Sequence, residues 1–179
     1  MRLLGVGLMM WGRSMLHLSK LTRNQQASLF LVSTEIVIKH FSKDEYKSIS
    51  NNALKQCWKW METKSVSAGS LCDLIDSYED GDIVYIQETV AEEDDVSIFN
   101  CVIYTIAFIC KIAYEYEGAK TFPQAIEIVD FDNYEDIKSI CSSLISKSVL
   151  DDLERYIRSQ SDSIKDNNTR TIFENYITH

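Results

Sequence analysis

The stretch "VSIFNCVIYTIAFICKIAYEY", residues 96–116, is apolar over about six helical turns at 3.6 residues per turn. It follows "ETVAEEDD", residues 88–95, in which five of eight side chains are carboxylates. Projected at about 100° per residue, Ser97, Asn100, Tyr104, Lys111 and Glu115 fall within an arc of roughly 60°, and Thr105 is the polar exception elsewhere. A polar stripe that narrow predicts a helix enclosed on nearly every side, running from Val96 to Tyr116 and stopped by Gly118. A membrane span needs about 18 or more uninterrupted apolar residues, and Asn100 and Lys111 break the run, so no membrane is expected. Asp94 and Asp95 are expected to cap the helix, with the acids before them complementing its dipole. Capping and dipole together use only about one or two carboxylates, which leaves a surplus for another role.

Outward from this segment the chain reads as helix. Among 179 residues there are one Pro and six Gly, so chain breakers are scarce, and 45% hydrophobic residues suffice for one core. Thr22 and Gln25 form a capping-box pattern before Ala27, Phe30, Leu31, Val37, Ile38 and Phe41; Ser42 and Glu45 repeat it before Tyr46, Ile49, Ala53, Cys57 and Trp60. Ser70 and Asp73 predict a third helix with Leu71, Leu74, Ile75 and Tyr78 inward, ending near Gly81. "IVYI", residues 83–86, has strand propensity but no alternating partner, and it is read as a short helix. Pro123 suits a first helical turn, Asn133 a cap, and two further helical patterns follow, separated by the polar "SQSDSIKDNN". The expectation is an all-α, single-domain bundle of about six to eight helices around the central one.

The first fourteen residues open with Arg2 before a short apolar run, without a convincing cleavage site after it. They are expected to be a loosely docked leader, or an over-extended start preceding Met15, with residues 15–179 forming the domain. Five well-separated cysteines without a C-x-x-C pair suit a reducing cytoplasm.

Charge is segregated. Residues 1–64 carry a balance of +6, residues 65–137 one of −15, and residues 138–179 are neutral, within a total of −9. From Ser65 to Cys110 there are ten carboxylates and no Lys or Arg. Such a segment repels nucleic acid and anionic membrane and attracts a cationic partner.

Catalytic signatures are lacking. His17, His40 and His179 stand in no metal or acid–base motif, and Cys101 and Cys110 read as core packing. Trp58 and Trp60 lie two apart on a helix and point apart, so one is expected in the core and the other half-exposed, with no stacking platform for bases. Three carboxylate pairs have same-face helical spacing: Glu79 with Asp82, Glu88 with Glu92, and Glu127 with Asp130. They keep open a metal-dependent, all-helical nucleotide pyrophosphohydrolase, although a phosphate-binding cation is missing from Ser65 to Cys110. A non-catalytic helical scaffold is a further alternative. The favoured reading is a protein-binding face built on Glu79, Asp80, Asp82, Glu88, Glu92 and Glu93, with no cofactor and no metal; Asp94 and Asp95 are set aside as capping residues.

The order of "ALKQCWKWME", the acidic segment running into "VSIFNCVIYTIAFICKIAYE", and "QAIEIVDFDNYEDI" resembles the all-helical immunity proteins of bacterial polymorphic toxin systems, the sixth family of that series. A group of uncharacterised bacterial helical proteins shares the plan. The resemblance covers Gln25 to Tyr156 and leaves the first fourteen residues outside. It implies a small cytoplasmic protein, encoded beside a secreted toxin, that binds the toxin domain and blocks it without catalysis. A basic toxin such as a nuclease would suit the acidic face.

Overall fold

The apolar run folds as one helix from Glu93 to Tyr116, beginning three residues earlier than its hydropathy pattern. The structure, a computed structural model, describes residues 21–77, 82–160 and 169–177. The leader, Tyr78 and Gly81, and the site residues Glu79 and Asp80 lie outside the described residues. Within them, nine α-helices and two 3-10 turns account for the regular structure, and there is no strand. The helices are α1 (Arg23–Val37), α2 (Asp44–Thr63), α3 (Ala68–Cys72), α4 (Ile83–Glu88), α5 (Glu93–Tyr116), α6 (Gln124–Glu127), α7 (Tyr134–Leu144), α8 (Lys147–Ser159) and α9 (Thr169–Ile177). The expected all-α bundle is present, and "IVYI" is helical as read.

Helix α5 packs against α1, α2, α3, α4, α6 and α7. By length and composition it could cross a membrane, but 67% of its apolar window is buried inside the protein, which is the packing of a core helix. Gly118 ends it at φ +81°, in the left-handed region, with Ala119 N donating to Tyr114 O at 2.9 Å.

A second helix is equally enclosed. All of α1 from Gln25 to Val37 is buried, because α2, α5, α7, α8 and α9 surround it. Several of its polar side chains find partners on these neighbours. Thr34 and Thr105 pair their hydroxyls at 2.7 Å, Ser33 meets the Tyr134 hydroxyl at 3.2 Å, and Gln25 donates to Ile157 O at 3.2 Å. Phe30 stacks on Phe108 with centroids 4.3 Å apart. The lone polar exception on the wheel of α5, Thr105, is therefore the point where the two central helices are tied.

Several caps differ from expectation. The Thr22–Gln25 box forms, but α2 begins at Asp44 after an uncapped Lys43, and α5 begins after an uncapped Glu92. Ser42 instead donates its backbone N–H and hydroxyl to Asp95, which is buried in the first turn of α5. Two side chains that read as separate local caps thus bind each other, since a buried carboxylate gains more from two donors than from one frayed helix end. Ser67, not Ser70, caps the short α3. Asp130 and Asn133 form a reciprocal box around the 3-10 turn Phe131–Asn133, so Asn133 serves that turn and not α7. Trp58 and Trp60 are both buried, at 2% and 1% exposure. They point apart as expected, but α1 closes over one and Tyr116 and Lys64 cover the other.

Candidate partner-binding face

The acidic segment is displayed at the corner where α4 meets α5. Asp82 caps α4: its Oδ1 accepts from Tyr85 N at 2.7 Å, and its Oδ2 accepts from Ser77 N and Oγ, each at 3.3 Å. That carboxylate holds the turn, which leaves it less available to a partner than its sequence position suggests. Glu88 ends α4, and Glu92 and Glu93 open α5. These three and Asp94 are exposed, and among the described residues no cation stands within salt-bridge distance of any of them. Asp94 is therefore free of the capping role expected of it, whereas Asp95 is fully committed to Ser42.

Helix α4 is held on α5 by Gln87, whose Nε2 donates to Asn100 Oδ1 at 2.6 Å and Val96 O at 3.3 Å. Lys43 stands at the border of this corner. Its ammonium donates to the Tyr46 hydroxyl at 2.9 Å, and that bond, with the fields of Glu92 and Asp95, holds its pKa above the usual lysine value. Glu88, Glu92, Glu93 and Asp94 are thus exposed on a corner held by Gln87 and Asp95, with the Lys43 ammonium at its border bonded to Tyr46.

Of the paired carboxylates, Glu79 lies outside the described residues, and the others are set to other tasks or apart. Glu88 and Glu92 belong to different elements, Asp82 is a cap, and Asp130 serves the 3-10 turn. Among the described residues no group of three His, Cys, Asp or Glu side chains is placed to hold an ion. The five cysteines are buried and unbridged. Burial pushes the Cys57 thiol up to about 12 and raises those of Cys72 and Cys110, the reverse of what a nucleophile needs. His40 is exposed at the end of a 3-10 turn; His17 and His179 lie outside the described residues.

The sequence matches the family "Immunity protein Imm6" over residues 25–158. The chain belongs to the Imm6 immunity-protein family. Membership implies binding of a cognate toxin. The matched span takes in nearly all of α1, α2 to α7 and nearly all of α8, with the α4–α5 corner, and leaves out α9. No curated protein and no solved structure matches the chain.

Proposed function

We propose that this protein neutralises its toxin by binding alone, in the bacterial cytoplasm, with the acidic α4–α5 corner as the contact face and a basic toxin domain such as a nuclease as the partner. The observation that carries this reading is the set of exposed carboxylates Glu88, Glu92 and Glu93, without an ion pair among the described residues, on a segment pinned by Gln87 and Asp95. Exposed like charges on a fixed backbone attract a cationic partner at little ordering cost and repel nucleic acid and anionic lipid. Glu79 and Asp80 belong to the same acidic segment and extend the proposed face; Asp82 contributes its field while holding the turn.

The test is co-expression with the toxin encoded by the adjacent gene, followed by affinity measurement on the purified pair. The parent chain should rescue growth and form a stable complex. Converting Glu88, Glu92 and Glu93 together to Gln should weaken binding, by about 2–5 kcal/mol if one of them is paired at the interface centre. Converting Glu79 and Asp80 to their amides provides a second variant that leaves the Asp82 cap intact. If both amide variants bind as the parent does, the partner docks elsewhere. If the parent neither binds nor protects, toxin neutralisation itself is refuted.

A further inference from the structure

The turn after α6 holds an isoleucine out in solvent. Ile128 is 85% exposed, while Ile126 and Val129 on either side of it are buried. Lys111 of α5 donates to the carbonyls of Glu127 at 3.0 Å and of Val129, the two residues that flank Ile128. The Asp130–Asn133 box closes the next turn, and Phe131 stacks on Tyr134 with centroids 5.7 Å apart. Single exposed apolar side chains are ordinary on protein surfaces. Ile128 differs in that its backbone is clamped on both sides, so little ordering entropy remains to be lost on binding.

The charged residues of the turn itself are all acidic. Glu127, Asp130 and Asp132 are exposed within four residues of Ile128, no Lys or Arg occurs between Lys120 and Lys138 in the sequence, and the Lys111 ammonium is bonded to the carbonyls. An apolar centre with a polar rim is the usual anatomy of an interface. The turn and the acidic corner also flank one strip of α5, since Gln87 holds Asn100 and Lys111 holds the turn, with both residues on the same narrow stripe. Glu93 and Lys111 are about 27 Å apart at 1.5 Å per residue, and an interface of about 800 Å² per partner is about 30 Å across.

We propose that Ile128 is the apolar anchor of the toxin interface, entering a socket on a cationic surface of the toxin, with Glu127 and Asp132 as its acidic rim. The inference rests on toxin binding as proposed above. A second copy of this chain would set acid against acid, and an anionic membrane would be repelled in the same way; a cationic protein surface is the complement.

The experiment measures association and dissociation rates of the full chain with the purified toxin domain encoded by the adjacent gene. Ile128→Ala should weaken binding by about tenfold or more, chiefly through faster dissociation, with an unchanged melting temperature because the side chain is exposed. Ile128→Glu should weaken it further. The double variant Glu127→Gln, Asp132→Asn should slow association at low salt. If both Ile128 variants bind within about twofold of the parent while the Glu88, Glu92 and Glu93 amide variant is weakened, the anchor is refuted and neutralisation stands. If the parent does not bind the domain at all, both fall together.

Discussion

Glu35 carries the sharpest conflict between a side chain and its surroundings. It lies within the buried helix α1, where Arg170 of α9 donates to Oε1 at 2.9 Å. Oε2 has no hydrogen-bond partner among the described residues; Trp58 Nε1–H lies beside the carboxylate and favours its charged form without reaching bonding geometry. Burial outweighs both Arg170 and Trp58, so the pKa of Glu35 is raised above the ordinary 4.5. The folded state then binds the proton more tightly than the unfolded chain does. Its contribution to stability is complete below the unfolded value and is lost as the pH rises through the folded one. Glu35→Gln keeps the shape and removes that titration. The melting temperature of the variant minus that of the parent should therefore grow as the pH is raised from about 4.5 toward neutrality. A difference that stays constant over this range would show that the carboxylate is not strained by burial. Nothing in "LVSTEIVIK" signals this, because Ser33, Thr34 and Glu35 are polar and their partners lie more than sixty residues away.

Among the elements, α5 was the most legible and its neighbours the least. Its own stripe separates the enclosed positions from the open ones, and the structure follows it: Phe99 is fully buried, with its ring 4.6 Å from Phe41 and 5.2 Å from Tyr46, while Ile103 is only half-buried near the stripe. Phe99→Ala should cost about 3–5 kcal/mol. Ile103→Ala should cost about 1 kcal/mol, since part of its surface already meets water. Denaturant unfolding of the two variants checks the order, and equal losses would mean that α5 sits differently in the bundle. The start of α5 was read less well. Asp95 looked like a cap because Asp before an apolar run usually is one, but Ser42 reaches it across 53 residues and draws it inside. The same contact removed the expected cap from α2.

The charge separation belongs to the molecule as a whole. A balance of −15 over residues 65–137 sets a field that acts before any contact forms. Raising ionic strength from about 50 to 300 mM should lower the association rate with the toxin domain several-fold and change dissociation little, because screening acts mainly on exposed charges. A rate insensitive to salt would show that the acidic surface does not guide encounter. The acids of the proposed face were legible in part. Glu88, Glu92 and Glu93 exceed what capping and dipole use, and they are exposed. The role of Asp82 was hidden by its partner Ser77, and that of Ile128 by the apolar run "AIEIV", in which nothing marks the outward residue.

The sequence by itself determined what depends on near neighbours: helical period, the enclosure of α5, the Thr22–Gln25 box, the Gly118 stop, and the surplus of negative charge between Ser65 and Ile137. Those follow from backbone geometry and side-chain spacing, which act within about one or two turns. Tertiary structure alone decided that α1 is a second central helix, that Thr105 faces Thr34, that Asp95 binds Ser42, and that Lys111 fixes the turn beneath Ile128. Each of those is a polar group paired across the bundle after water has been excluded, and burial of such a group requires a partner without specifying where along the chain that partner lies.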